Sequence, residues 1–417
     1  MSARLPVEEA IARILAAVQQ EPGDESVPLH TAVGRVLRES VTAQYSHPAW
    51  RNSAMDGYAV HADDVRDATA DSPVSLPVAG TIAAGDALPA SVSRGTAWRI
   101  MTGAPVPDDI DTVVRVEDTD AGVITVQVRS DRDAQRNIRP LGEDFTAGAP
   151  LLQPNMLLRA PHVGLAAANG RSALLVARRP RVAILTSGNE LVDVSEFDAV
   201  LAGRRIVNTN GYMLAAAIID AGGEVVDLGI APDDPAAIAE RITQAPAHDA
   251  LITCGGISVG AFDYTRDVVQ RLGASLDFWR VRMRPGGPFG FGMFGARPWF
   301  GLPGNPGSAL VTFELFVRPA LRRMGAQRDL FRENIAVTLG EGVTTTGGLT
   351  HFLRAVVDEA NVATLTGPQG SGLLTSLVAA NALLIVPHDV AYLSAGDTAR
   401  AMLLQSQTQL PVKSWTF

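Results

Sequence analysis

Apolar positions in residues 7–20 (VEEAIARILAAVQQ) recur at helical spacing, with Glu8 and Glu9 in the first turn, where the helix dipole favours negative charge. The spacing predicts an amphipathic helix. Up to about residue 144 the pattern shifts to short β-like runs broken by Gly, Pro and Asp: PVAGTIAAGD, AWRIMTGAPVPDD, DTVVRVED and GVITVQVRS. Strands punctuated this often predict a small β-rich domain without crossover helices. Between about 145 and 178 helical spacing returns in PHVGLAAANG, followed by RSALLVARR. These flanks bracket the β segment, which therefore reads as an insertion.

From about residue 180 strands and helices alternate. RVAILTSG is a buried strand and NGYMLAAAIIDAGG a helix closed by Gly222 and Gly223. EVVDLGIAPDD is a second strand, PAAIAERITQA a second helix, and DALITCGGISVG a third strand entering a Gly-rich loop. This order predicts a parallel sheet covered by helices, with ligands beyond the carboxyl ends of its strands. After about residue 328 β alternation returns in NIAVTLGEGV, THFLRAVVDE, ANVATLTG and NALLIVPHDV, which predicts a small β-barrel or β-sandwich.

Composition narrows the class. A chain of 417 residues exceeds one ordinary core, and 47% apolar against 19% charged residues excludes disorder. The formal net charge of −9 leaves no basic excess for general nucleic-acid or anionic-membrane binding. The single Cys254 excludes an internal disulfide framework and a zinc site of several thiolates. No apolar run reaches the roughly 18 residues of a membrane span. The opening MSARLPVEEAIARIL carries acids early and does not read as a signal peptide. The expectation is a soluble, cytoplasmic protein of several domains, with no nucleic-acid partner and no membrane insertion.

Candidate chemistry collects at the strand ends. Ser187-Gly188-Asn189-Glu190 ends the first strand, Asp233-Asp234 the second, and Cys254-Gly255-Gly256-Ile257-Ser258-Val259-Gly260 the third, with Asp263 beyond. A Gly-rich loop with Ser258 brings backbone N–H groups close to a phosphate, although the same run also serves as a tight strand-to-helix turn. Glu190, Asp233 and Asp263 supply the hard oxygen ligands that Mg²⁺ takes beside substrate phosphates. Arg280, Arg282 and Arg284 alternate in WRVRMRPGG and are expected on one side of a strand, as an anion-holding row or a solvated edge. The turn GLPGNPGS (301–308) enters a helical run and presents free N–H groups at its N-terminus. Cys254, at the end of an apolar strand, reads as a buried small hydrophobe, and His162 and His351 read as structural.

Five segments carry a resemblance. NSAMDGYA (52–59), RIMTGAPVP (99–107), NIRPLGED (137–144), CGGISVG with the following DYT, and GLPGNP closely resemble, in order, the motifs of the molybdopterin molybdenumtransferase family, which includes bacterial MoeA and the C-terminal domain of gephyrin. The resemblance covers essentially the whole chain. It implies a multidomain α/β plus β fold: an elongated four-domain subunit with a central α/β pterin-binding domain, a β-rich insertion and a C-terminal β-barrel-like domain. On this chain the domains fall at 1–45 plus 145–178, 46–144, 179–327 and 328–417. It further implies a homodimer with a shared cleft, working beside other molybdopterin pathway enzymes. The implied reaction is Mg²⁺-dependent hydrolysis of adenylylated molybdopterin and entry of molybdate, giving molybdenum cofactor and AMP.

By the same resemblance, Asp56, Thr102 and Asp144 line the cleft, and Glu190, Asp233 and Asp263 fall on acidic, metal-associated positions. Gly255, Gly256, Ser258 and Gly260 form the glycine loop. Arg284 falls on the first basic residue of the family's K-P-G-K-P run, with Arg282 beside it, and Pro303 and Asn305 lie in the G-L-P-G-N-P turn. Two positions depart: Asn189 replaces the aspartate of T-G-D-E, and Gly287 replaces the second lysine of K-P-G-K-P. If the chain is a working transferase, its anion site is expected to run on Arg282 and Arg284 in place of that lysine. The departures keep open a second reading, a gephyrin-like dimeric scaffold that holds a short peptide of a cytoskeletal or membrane partner.

Overall fold

The computed structural model describes residues 4–19, 23–85, 91–256 and 264–405. Contacts divide the chain into a smaller unit, residues 28–33 and 39–174, and a larger one, residues 1–27, 34–38 and 175–417. Helix α1 (Val7–Ala17) ends short of the amphipathic pattern and buries Val7, Ala10 and Ile14, an i, i+3, i+7 face, in the core of the larger unit.

The smaller unit holds a five-stranded sheet of β1 (Gly57–Val60), β2 (Val74–Ile82), β3 (Ala97–Ile100), β4 (Thr112–Arg115) and β5 (Thr125–Val128), ordered β4-β1-β3-β2-β5. Strand β1 is buried throughout because it feeds two cores. Tyr58 and Val60 meet Val114 and Val126 on one face, while Ala59 meets Ile100 and Val113 on the other. Helix α2 (Ala160–Ala168) follows in this unit, and RSALLVARR supplies a strand, Ala173–Ala177, within which the chain passes to the larger unit.

Gly57 sits where a side chain has no room: a Cβ there would lie 1.9 Å from the Val114 carbonyl oxygen of the neighbouring strand. Gly57→Ala is therefore expected to separate β1 from β4 and destabilise this unit by about 3 kcal/mol. Urea denaturation of the variant against the parent checks this.

The larger unit begins with a six-stranded sheet: β6 (Arg181–Ser187), β7 (Glu224–Ala231), β8 (Ala250–Cys254), β9 (Ser275–Trp279), β10 (Gly290–Phe294) and β11 (Arg297–Leu302), ordered β7-β6-β8-β11-β10-β9. The first four in that order run parallel; β10 and β9 close the sheet antiparallel. Around it lie α3 (Thr209–Asp220), α4 (Pro235–Thr243), α5 (Thr265–Arg271), α6 (Pro306–Thr312) and α7 (Arg318–Met324), with one π turn, Phe313–Val317, between the last two. Alternate strand residues enter opposite layers. Val182, Ile184, Ile252 and Phe300 pack with Leu214, Ile218 and Phe316, whereas Ala183, Leu185, Leu251 and Trp299 pack with Ile238, Val268 and Val269. Burial on both faces explains why these strands read as continuous apolar runs.

The C-terminal strands β12 (Asn334–Leu339), β13 (Thr350–Val357), β14 (Val362–Leu365), β15 (Ala382–Val386) and β16 (Thr398–Leu403) pair in the ring β13-β14-β12-β16-β15, closed by β15 on β13. The tail is thus a closed barrel, not a sandwich.

One expectation fails here. Arg280, Arg282 and Arg284 do not form a strand row: Arg280 adopts a left-handed φ of 82°, Arg282 lies in a bend, and of the three only Arg284 lies in a strand, where Met283–Arg284 pair with Thr350 and His351. Val281 and Met283 are buried between them, so the alternating hydropathy is real although the strand is interrupted.

Candidate active site

The carboxyl ends of β6, β8 and β11 surround a cavity of about 760 Å³, whose wall includes Ser187, Glu190, Asn210, Asp233, Gly255, Gly256, Pro303 and Asn305. Its shape depends on close backbone approach. At Gly255, with φ 96°, a Cβ would lie 2.5 Å from the Ser187 carbonyl oxygen; at Gly256, with φ 61°, it would lie 2.5 Å from Thr265 Oγ1. Only glycine meets both demands. The sequence-predicted Ser258, Gly260 and Asp263 lie outside the described residues.

The two acids reach the cavity from different strand ends. Asn189 and Asp233 clasp each other: the Asn189 N–H donates to Asp233 Oδ2 at 3.1 Å, and the Asp233 N–H donates to Asn189 Oδ1 at 3.1 Å. The amide at 189 thus acts as an acceptor without bringing a second carboxylate beside Asp233. Glu190 folds its carboxylate back over Gly188, where a Cβ would meet both Oε atoms at 2.8 Å. Two carboxylates on one wall fit Mg²⁺, which takes one or two carboxylates and fills its remaining positions with water and phosphate oxygens. Among the described residues no group of three His, Cys, Asp or Glu side chains is arranged to hold a metal. Asp234, adjacent in sequence, serves differently: its Oδ1 accepts from the N–H groups of Ala236 and Ala237 and caps α4.

Asn210, missed in the sequence, holds the G-L-P-G-N-P turn. Its Nδ2 donates to the Gly304 carbonyl at 2.6 Å and to Cys254 Sγ at 3.3 Å, while Cys254 Sγ donates to the Pro303 carbonyl at 3.3 Å. Asn210 Oδ1 is buried with no partner among the described residues. The available signal was the N-T-N-G run at the start of α3, where Asn208 caps the helix. Burial pushes the Cys254 thiol up to about 12, against the opposing donation from Asn210. The folded protein is therefore expected to resist iodoacetamide near neutral pH and to be alkylated only on unfolding. With one cysteine in the chain, the mass shift is unambiguous.

A second cavity, about 1080 Å³, shares Pro288 and Ser308 with the first. Arg284 lines it, with its Nη1 3.3 Å from Thr346 Oγ1, and so do Arg4, Arg280 and Gly287. Arg282 does not.

In the smaller unit the three remaining motifs converge through the backbone. The Ser53 N–H donates to the Ala104 carbonyl, Gly103 donates to Ser53, and Ala54 donates to Asn137, while residues 52–53 pair with 138–139. Asp56 Oδ1 accepts from the Thr102 N–H at 2.6 Å and from Thr102 Oγ1 at 2.9 Å. Those two bonds hold the Asp56 carboxyl below its ordinary range. Asp144 lines a different concavity of this unit, beside Phe145 and Leu165.

Residues 5–170 match the MoeA N-terminal region (domain I and II), residues 183–323 a probable molybdopterin binding domain, and residues 336–404 the MoeA C-terminal region (domain IV). The chain is 40% identical over 393 residues to molybdopterin molybdenumtransferase 2 of Mycobacterium tuberculosis, an alignment covering 92% of this chain and 96% of that protein. The chain belongs to the molybdopterin molybdenumtransferase family. A relative from Nostoc named molybdopterin molybdenumtransferase is 35% identical over 94% of this chain and 92% of its own length. The crystal structure of a molybdopterin biosynthesis MoeA protein from Pyrococcus horikoshii superposes with a TM-score of 0.78 at 28% identity, covering 96% of this chain and all of that one. No described helix is long and apolar enough to cross a membrane.

Proposed function

We propose that this chain is a Mg²⁺-dependent molybdopterin molybdenumtransferase, which hydrolyses adenylylated molybdopterin to release AMP and inserts molybdate at the dithiolene. The observation that carries the reading is the adjacency of two unlike cavities. One has carboxylates and glycine turns at strand ends; the other has arginines and, among the described residues, no carboxylate. A substrate with a pyrophosphate and an incoming oxyanion needs both environments.

Glu190 and Asp233, with Asp263 assigned from sequence, would hold Mg²⁺, which would supply positive charge against that developing on the pyrophosphate oxygens. At the turns through Gly255–Gly256 and Pro303–Asn305 the N–H groups of Gly256, Gly304 and Asn305 would meet the phosphates, since Pro303 has none and that of Gly255 donates to the Leu302 carbonyl. Arg284 supplies a charge-assisted contact to the oxyanion. Asp56, Thr102 and Asp144 are assigned to substrate contact on the family motif, with Asp56 kept ionised by Thr102. Nothing observed favours the peptide-binding scaffold.

The direct test is chromatographic measurement of AMP after incubating the purified protein with adenylylated molybdopterin, molybdate and Mg²⁺. Release that stops on chelation supports the reading, and the absence of release refutes it. We further propose a two-fold homodimer with an interface above about 2,000 Å². Light scattering at micromolar concentration is expected to give twice the chain mass, and a monomer contradicts it.

A further inference from the structure

We propose that Arg4 and Arg280 act with Arg284 as the cations of an oxyanion-binding cavity beside Gly287. The identity of the anion rests on the transferase reading; the existence of the cavity does not.

The 1080 Å³ cavity is lined by Arg4, Arg280, Arg284 and His351, with Ser308, Thr344, Thr345, Thr346 and Ser371, and among the described residues by no aspartate or glutamate. This is unusual in a chain with 44 acidic and 35 basic residues, where a randomly chosen wall would carry acids. Several arginines elsewhere are held in ion pairs: Arg115 with Asp133, Arg171 with Glu39, and Arg318 with Glu314. Among the described residues no ion pair involves Arg4, Arg280 or Arg284. Three like charges facing one space repel, and an anion in that space reverses the sign of the interaction.

Local structure places two of these charges. Arg280 takes a left-handed φ of 82°, a conformation few non-glycine residues adopt. Its N–H donates to the Phe289 carbonyl at 2.9 Å, and its carbonyl accepts the Leu5 N–H at 3.2 Å. The Leu5 carbonyl in turn accepts the Arg282 N–H at 2.7 Å. This short ladder ties the N-terminal segment beside residues 280–282 and brings Arg4 to the cavity. Position 287 is cramped: a Cβ would lie 3.2 Å from the Met283 carbonyl oxygen and 3.5 Å from that of Val281. Charge supplied from Arg4 and Arg280 needs no side chain there.

The ligand class is a tetrahedral oxyanion, for which guanidinium forks are suited. Free molybdate and the phosphate of the nucleotide share this chemistry. Equilibrium dialysis of the full chain at low ionic strength, with molybdate in one arm and AMP in the other, separates them. Arg4→Ala and Arg280→Ala are each expected to weaken binding in one arm by about 10-fold or more, as loss of a charge-assisted bond implies. Arg282→Ala is expected to match the parent. Loss in the molybdate arm assigns the cavity to the free oxyanion; loss in the AMP arm assigns it to the nucleotide phosphate. Parental affinity in both arms for Arg4→Ala and Arg280→Ala overturns the proposal. A parent that releases AMP yet binds neither probe overturns the cavity while leaving the transferase reading intact.

Discussion

Glu190→Gln is expected to lower AMP release from adenylylated molybdopterin by about 100-fold or more while leaving the fold unchanged. The amide keeps the size of the side chain and removes the charge that a cation or a proton in transit requires. Glu190 is exposed to the strand-end cavity, and its carboxylate makes no ion pair among the described residues, so little stability depends on it. Asp233→Asn is expected to act more weakly. Asp233 Oδ2 already accepts the Asn189 N–H, and an amide oxygen at 233 still accepts that bond. Single-turnover AMP release at rising Mg²⁺ separates the two: a charge lost from the cation site raises the Mg²⁺ requirement, whereas a loosened loop lowers the rate at every concentration. Equal, small effects of both substitutions would remove Glu190 from the chemistry.

Arg318→Ala is expected to cost about 3–5 kcal/mol of stability in the larger unit. The Glu314 side chain is 4% exposed and that of Arg318 3%, and they meet through Nε–Oε2 at 2.5 Å and Nη2–Oε1 at 3.1 Å. Arg318 also pairs with Asp220 at the end of α3, and Arg332 reaches both acids. Removing Arg318 leaves Glu314 buried with Arg332 alone. Replacing Glu314 and Arg318 together by Leu and Met is expected to cost much less, because no buried charge is stranded. Burial pushes the Asp220 carboxyl up, but Arg318 and Arg332 outweigh it and hold it below its ordinary range. Its contribution is therefore present at neutral pH, above its unfolded value, and is lost as pH falls through the folded one. Denaturant midpoints of the single and double variants measure this, and equal midpoints would contradict it.

The α/β sheet was legible because burial on both faces writes apolar runs such as RVAILTSG, and because glycine and proline mark the turns that follow. The strand-end acids followed from the same logic: Glu190 and Asp233 do share a cavity. Less was visible where long-range contacts decide. Barrel closure depends on β13 meeting β15 across the intervening chain, which alternation alone leaves undetermined. Arg282 was the natural substitute for a missing lysine by sequence proximity, yet the left-handed turn at Arg280 and the Leu5 ladder give the cavity Arg280 and Arg4 instead. Asp234 looked like a second strand-end acid, and its Asp-Pro sequence was in fact a helix cap. Asn210 escaped notice because its role is to hold carbonyls of a turn about 90 residues away, a contact that no local pattern encodes.

The most direct measurement of the central claim is molybdoenzyme activity in cells that lack their own molybdenumtransferase and express this chain. The parent is expected to restore activity at ordinary molybdate, and Glu190→Gln, expressed to the same level and folded, is expected not to. Background activity with the parent present as folded protein, across the full range of molybdate supplied, would contradict it.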